Sequence, residues 1–159
     1  MLLTKKKIVV TGGAGALGSA VGRMAAANGA SVTLLDVVPI LDQDYGETIV
    51  CDLLDRESVA QCFQKIGDFD VLANIAGGFD MGPSVHEATD EFWECLFDIN
   101  VKTVRRVLEA AVPILVNRGY GSVINVGAQG AMRGMANMGA YLSSKSVVMR
   151  LTESLSEEV

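Results

Sequence analysis

A glycine-rich stretch near the amino terminus, residues 6–18 (KKIVVTGGAGALG), constrains the fold more than any other part of the chain. It begins with the apolar residues of a short buried strand, passes through four glycines and leads into apolar residues at helical spacing, Leu17, Val21 and Met24. This order forms an anion site, because glycine lets the backbone approach a phosphate and the helix start offers free N–H groups. The stretch predicts a loop that holds the pyrophosphate of a dinucleotide; a glycine-rich turn without a ligand is the alternative.

The composition narrows the classes of partner. Half of the 159 residues are hydrophobic, which is enough for the core of one domain over residues 1–159. The net charge of −6 argues against nucleic acid and against an anionic membrane surface, because both need a basic face. Neither the three cysteines nor the lone His86 has metal-ligand spacing, so we expect no metal and a reduced, cytoplasmic setting.

Short apolar runs and helical patterns alternate along the rest of the chain. Strands are predicted at residues 8–10, 31–35, 48–51, 69–73 and 121–126. A long helix with a kink at Pro113 is predicted over residues 89–116, and a last helix begins near Ala140. The buried side of the long helix should carry Phe92, Leu96, Ile99, Val104, Val107, Ala111 and Ile114. The alternation predicts a doubly wound α/β fold, the Rossmann fold, with five parallel strands.

Asp36 ends the second predicted strand, 18 residues beyond Gly18. An acidic residue at this place in a dinucleotide fold accepts hydrogen bonds from the adenine-ribose hydroxyls and repels a 2′-phosphate. Asp36 therefore predicts NAD rather than NADP as the cofactor. The alternative is an aspartate that only ends a strand in a turn.

Tyr141 and Lys145 lie four residues apart in the last predicted helix, so both side chains share one face. An ammonium beside a phenol favours the phenolate, and a tyrosine in such a setting can give or take a proton at neutral pH. The pair predicts acid–base chemistry. A simple surface pair is the alternative.

Three ordered motifs, with three single residues between them, give the chain a family resemblance. They are TGGAGALG at residues 11–18, Asp36, Asp52, NIAG at residues 74–77, Asn100, and YLSSK at residues 141–145. In this order they resemble the short-chain dehydrogenase/reductase family over essentially the whole chain.

The resemblance implies a nicotinamide cofactor and a role for each matching position. Gly12 and Gly18 would flank the phosphates, Asp52 would contact the adenine, and Asn74 and Gly77 would shape the sheet edge beside the adenosine ribose. The full set of implied cofactor-binding residues is Thr11, Gly12, Gly15, Ala16, Leu17, Gly18, Asp36, Asp52, Asn74, Ala76, Gly77, Tyr141 and Lys145.

The resemblance also implies the catalytic set. Tyr141 would be the acid/base, Lys145 would bind the nicotinamide-ribose hydroxyls, and Asn100 would support a water relay to Lys145. For Asn100 the alternative is an asparagine that only bends a helix. The substrate would be a small carbonyl, alcohol or quinonoid compound.

The chain departs from the family pattern in its glycine loop and in its catalytic serine. The usual second loop glycine falls on Ala16, while Gly15 fits the pattern of the family's extended subfamily. The serine position, thirteen residues before Tyr141, is Ala128. Losing such a hydrogen-bond donor lowers the rate of carbonyl reduction, unless Gln129 or a water substitutes. Dihydropteridine reductases are similar in this respect, and their quinonoid substrate already accepts hydride strongly.

Val159 ends an amphipathic run that has no stop signal. From the resemblance we expect further C-terminal strands that are missing here, so that the fifth strand is a bare edge. The resemblance implies a homodimer or homotetramer formed through the Asn100 and Tyr141 helices. A non-catalytic or truncated dinucleotide-binding module is the alternative function.

Overall fold

Strands and helices follow one another along the part of the chain that the structure describes, where no helix separates the second strand from the third. The computed structural model describes residues 1–41 and 43–159. Its strands are β1 (Lys7–Thr11), β2 (Ser31–Asp36), β3 (Glu47–Val50), β4 (Val71–Asn74) and β5 (Ser122–Asn125). Its longer helices are α1 (Ala16–Ala27), α2 (Arg56–Ile66), α3 (Asp90–Phe97), α4 (Thr103–Arg118) and α5 (Gly139–Glu158). A π-helical turn, Asp98–Lys102, joins α3 to α4, and a 3₁₀ turn, Gln129–Met132, lies before α5.

The described strands form one parallel sheet in the order β3-β2-β1-β4-β5. The chain runs outward from β1 in one direction and then crosses over to β4 and β5 on the other side. In its register Thr11 lies opposite Leu35 on one side and Asn74 on the other. The predicted doubly wound α/β fold is confirmed. Ligands bind outside the carboxyl ends of such strands, where the strand order reverses, which is here between β1 and β4.

Alternate residues of the strands face two separate cores. Val9, Leu35 and Leu72 belong to a cluster with residues of α2 and α4. Val10 and Leu34 face the other way and pack in a cluster that includes Ala25 of α1. Because both faces are covered, the central strands are continuous apolar runs, as is typical of a parallel sheet.

Of the three apolar residues at helical spacing in α1, only Val21 packs against a core. Leu17 and Met24 are 53% and 66% exposed, while Gly18, Gly22 and Ala25 are buried. A Cβ atom at Gly22 would lie 2.7 Å from Leu34 Cδ2, so the helix sits too close to the sheet for a larger side chain. The exposed Leu17 and Met24 therefore do not mark the packed face of α1, which is formed by the small residues Gly18, Gly22 and Ala25.

The predicted long helix is interrupted. The π-helical turn Asp98–Lys102 lies in its middle, and Asn100 within this turn is fully buried. Ile99, predicted to be buried, is 37% exposed, because a π turn adds a residue and rotates the faces that follow. The helix continues to Arg118 rather than residue 116, and Pro113 lies inside it.

Candidate dinucleotide-binding and catalytic site

Thr11 holds the loop after β1 against the loop after β4. Its Oγ1 accepts hydrogen bonds from the backbone N–H groups of Ile75 and Ala76, both at 3.1 Å. Gly12 follows with a φ of +70°, and a Cβ atom there would lie 2.8 Å from both Cα and N of Ala76. Only glycine fits this close approach without strain. The switch point of the sheet is thus built by contacts between two loops far apart in sequence.

The start of α1 is open to an anion. Gly15 is the N-cap, and its N–H donates to the Gly12 carbonyl oxygen at 3.1 Å. Among the described residues no side chain caps this helix, and its first turn carries no acidic residue. A Cβ atom at Gly18 would lie 2.0 Å from the Gly12 oxygen, so glycine is required there as well. Uncapped N–H groups and the helix dipole favour a negatively charged ligand.

A cleft of about 570 Å³ opens at this helix start. It runs between the glycine loop, the end of β3 and the π-helical turn. Its lining contains most of the predicted cofactor-binding residues, namely Gly12, Gly15, Ala16, Leu17, Gly18, Asp36, Asp52, Ala76 and Gly77. Thr11 and Asn74 are buried behind it, and Tyr141 and Lys145 do not line it.

The two predicted carboxylates stand at the rim of the cleft. The oxygens of Asp36 accept from the N–H groups of Ala14, at 3.0 Å, and Val38, at 3.2 Å. Asp52 Oδ1 accepts from the N–H of Leu54 at 2.8 Å. A carboxylate oxygen can accept more than one hydrogen bond, so both groups keep capacity for ligand hydroxyl or amino groups.

Lys145 and Asn100 are buried against Gly77. A Cβ atom at Gly77 would lie 2.8 Å from Asn100 Oδ1 and 3.3 Å from Lys145 Nζ. Lys145 Nζ donates to the Val126 carbonyl oxygen at 3.0 Å, and burial lowers the pKa of Lys145. Asn100 is clamped on Gly78, whose N–H it accepts and whose carbonyl oxygen it binds through Nδ2, both at 3.0 Å.

Tyr141 lies on α5 one turn before Lys145 and is half-buried. Its ring packs edge-on against Phe79, with ring centroids 4.9 Å apart and planes at 87°. Ala128 follows β5 in the loop before the 3₁₀ turn, and its methyl group cannot donate a hydrogen bond.

Three supporting residues, Ser144, Asn125 and Phe79, were not found from the sequence. Asn100 Nδ2 also donates to Ser144 Oγ at 3.2 Å, which ties the π-helical turn to α5. Asn74 Nδ2 donates to Asn125 Oδ1 at 2.8 Å, so Asn74 joins β4 to β5 from within the core. Phe79 follows the NIAG motif by two residues. The sequence carries no local signal for these pairs, because the partners are 44, 51 and 62 residues apart.

A family model for short chain dehydrogenases matches residues 6–159. The chain belongs to the short-chain dehydrogenase family. It is 29% identical to the short chain dehydrogenase adrF of Penicillium rubens, over 97% of this chain and 64% of that protein. It is 31% identical to a sorbitol dehydrogenase of Cereibacter sphaeroides, over 97% of this chain and 64% of that protein.

The solved structures agree with this assignment. The chain matches the ligand-free aldohexose dehydrogenase of Thermoplasma acidophilum with a TM-score of 0.91 and 25% identity, over 99% of this chain and 62% of that one. The chain therefore spans between 62% and 64% of the length of these three relatives.

In the part of the chain that the structure describes, no three His, Cys, Asp or Glu side chains come together as a metal site. Over residues 1–41 and 43–159, no helix combines the length and the apolar character needed to cross a bilayer.

Proposed function

We propose that this chain binds NAD(H) and transfers hydride between the nicotinamide and a small carbonyl or alcohol substrate. The junction at Gly77 carries the proposal: this glycine lines the cleft and is also packed against Asn100 and Lys145. When bound, the nicotinamide ring gives or accepts the hydride. The cleft fits such a cofactor, because it has an uncapped helix start on one side and carboxylates at the ends of strands: Asp36 ends β2, and Asp52 follows β3.

Tyr141 is the proposed acid/base. In the reducing direction its hydroxyl donates a proton to the carbonyl oxygen while the carbonyl carbon accepts the hydride. Lys145 would favour the phenolate and hold ribose hydroxyls, and the Asn100 clamp would position it. This assignment is supported by the burial of Lys145 beside Gly77 and by the place of Tyr141 one helical turn away.

The proposed cofactor contacts are those predicted from the sequence. Backbone N–H groups of residues 16–18 would hold the diphosphate, and Asp52 would contact the adenine. Asp36 would accept hydrogen bonds from the adenosine ribose, which favours NAD over NADP because a 2′-phosphate would be repelled. The loop hydrogen bond from Ala14 to Asp36 supports this role, since it fixes the carboxylate at the cleft.

Ala128 bears on the substrate. Without a hydroxyl at this position, a simple ketone lacks a donor for its developing negative charge. A quinonoid substrate, which accepts hydride readily, is therefore one proposed class. The relatives named above include a sorbitol and an aldohexose dehydrogenase, which indicates a second class, small hydroxylated carbonyl compounds.

Residues 1–159 would act as one dinucleotide-binding domain in a homodimer or homotetramer formed through α4 and α5. The three cysteines are free, which agrees with the reducing cytoplasm that we propose. Ala128 favours one other candidate, a dinucleotide-binding module without catalysis.

The test combines binding with turnover. NADH fluorescence titration should give saturable binding to the wild type and, within twofold, to Tyr141→Phe. Turnover by Tyr141→Phe should fall at least a hundredfold, because general acid–base catalysis contributes on the order of 10² to 10⁴ in rate. Absent NADH binding would overturn the proposal. Binding without turnover by the wild type would favour the module.

A further inference from the structure

Two loops, residues 79–88 and 132–139, lie beside the start of α5 and carry several exposed apolar side chains. These are Phe79 (58% exposed), Met81 (58%), Val85 (63%), Met132 (72%) and Met135 (47%). Neighbouring polar residues of the same loops include Asp80, His86 and Arg133. We call Phe79, Met81, Val85 and Met135 the apolar wall.

The two loops are fastened to each other. Gly82 N–H donates to the Asn137 carbonyl oxygen at 2.9 Å, and Asn137 Nδ2 donates to the Gly82 carbonyl oxygen at 3.2 Å. Asn137 holds a φ of +60°, a conformation that asparagine adopts more readily than most residues. A Cβ atom at Gly139 would lie 2.7 Å from Val85 Cγ2, so α5 begins directly against this loop. The backbones of the two loops are therefore held together, and Val85 is held against the start of α5.

Phe79 is the member of the wall that reaches Tyr141. The two rings form a T-shaped pair at a centroid distance of 4.9 Å. More than half of the Phe79 side chain stays exposed, so one part orients the phenol while the rest is free to contact a substrate.

We infer that Phe79 is a specificity-determining residue, and that the substrate carries its carbonyl or alcohol on an apolar, flat ring rather than on a polyol chain. The inference rests on the proposed function. A polyol pressed against Phe79 would lose hydrogen bonds to water without replacing them. An aromatic ring would instead bury apolar area and stack on the Phe79 ring.

Trp93 provides a binding readout that needs no turnover. It is the single tryptophan of the chain, and a Cβ atom at Gly139 would lie 3.9 Å from its Cζ2. Titration without cofactor, excited at the red edge of tryptophan absorption, would compare 1-phenylethanol with sorbitol. We expect a saturable change with 1-phenylethanol and none with sorbitol.

Two variants of Phe79 sharpen the test. Phe79→Ala should weaken 1-phenylethanol binding about tenfold, and Phe79→Leu should recover part of it, because leucine keeps apolar volume but not the ring. Met24→Ala, at an exposed methionine on α1, is the matched control and should bind as the wild type does. Thermal melting would establish that each variant is folded. Equal binding of sorbitol, no binding of 1-phenylethanol, or unchanged binding by Phe79→Ala would overturn the inference.

Turnover with NAD⁺ separates this inference from the proposed function. We expect kcat/KM for 1-phenylethanol to exceed that for sorbitol about tenfold or more, with the Phe79→Ala loss mostly in KM. A Tyr141-dependent preference for sorbitol would overturn the specificity role and leave the proposed function standing. Phe79-dependent binding of 1-phenylethanol without NADH binding would overturn the proposed function and leave the specificity role standing.

Discussion

Gly77 and Lys145 lie so close that a methyl group on Gly77 would come within 3.3 Å of the Lys145 ammonium nitrogen. Gly77 follows β4, and Lys145 lies on α5 at the far end of the sequence. This contact joins the dinucleotide cleft to the proposed proton machinery.

Gly77→Ala should damage both stability and turnover. The new Cβ atom would also meet Asn100 Oδ1 at 2.8 Å, and Asn100 is held rigidly by its hydrogen bonds to Gly78. Overpacking of this kind costs about 1–3 kcal/mol in the free energy of unfolding, measurable by urea denaturation. Gly134→Ala is the control, since nothing lies within 4 Å of that position. Equal stability of the two variants would contradict the crowding at Gly77.

Lys145→Met should change how stability depends on pH. Burial lowers the pKa of Lys145 from 10.5, so the folded protein loses this proton at a lower pH than the unfolded chain. Between the two pKa values the unfolded chain binds more protons, and Lys145 therefore adds to stability as pH rises.

The quantity to measure for Lys145 is the free energy of unfolding of the wild type minus that of Lys145→Met. We expect this difference to rise in urea denaturation as the pH increases towards 10.5, the ordinary pKa of a lysine. Lys65, whose side chain is 64% exposed, is the control, and Lys65→Met should give a flat difference. A difference that falls with pH for Lys145 would contradict its burial.

Ala128→Ser should speed the reduction of simple ketones. The hydroxyl would supply the hydrogen-bond donor that the alanine methyl lacks, worth on the order of tenfold or more in kcat. NADH oxidation would measure the rate, and Ala136→Ser, at an exposed position of the same loop, is the control. An unchanged rate would indicate a substrate that does not need this donor, such as a quinonoid ring.

Asp36→Asn should weaken NADH binding about tenfold, because hydrogen bonds to a charged group are stronger than those to an amide. It should also narrow the preference for NADH over NADPH, since one negative charge facing the 2′-phosphate is removed. Fluorescence titration with both cofactors measures this ratio. Asp68→Asn, at an exposed loop position, should leave it unchanged, and the same ratio in both variants would argue against cofactor selection by Asp36.

Asp70→Asn should destabilise the protein at neutral pH. Asp70 is buried, and its Oδ2 accepts the Lys7 backbone N–H at 2.7 Å while Arg118 Nη2 lies 3.2 Å from Oδ1. The Lys7 N–H, helped by Arg118, lowers the pKa of Asp70. Stability from the carboxylate is thus present above the unfolded pKa and is lost as pH falls through the folded one.

For Asp70→Asn we expect a loss of about 1–3 kcal/mol in the free energy of unfolding at pH 7. The loss should shrink toward zero in strong acid, where the wild-type carboxyl is also neutral. Urea denaturation at both pH values tests this, and a loss that stays constant with pH would rule out the carboxylate charge as its cause.

Some features depend on residues that are close together in the chain. The glycine loop, the strand before it and the helix after it follow from turn chemistry and from the period of apolar residues, which act over a few residues. The same is true of the spacing of Tyr141 and Lys145 on one helical face. The strand ends in the structure differ by one or two residues from the predicted ones, because they depend on hydrogen bonds to neighbouring strands.

By itself, the sequence determined the element order, the parallel doubly wound sheet and the motifs on it, because local period and turn residues are set by near neighbours. Only the tertiary structure decided that α1 packs through Gly18 and Gly22, because that depends on how closely the helix approaches the sheet. It also decided that Phe79 meets Tyr141, 62 residues away in sequence. Such pairs form when the fold brings distant segments together, and the local sequence of one segment does not indicate which distant residue it will contact.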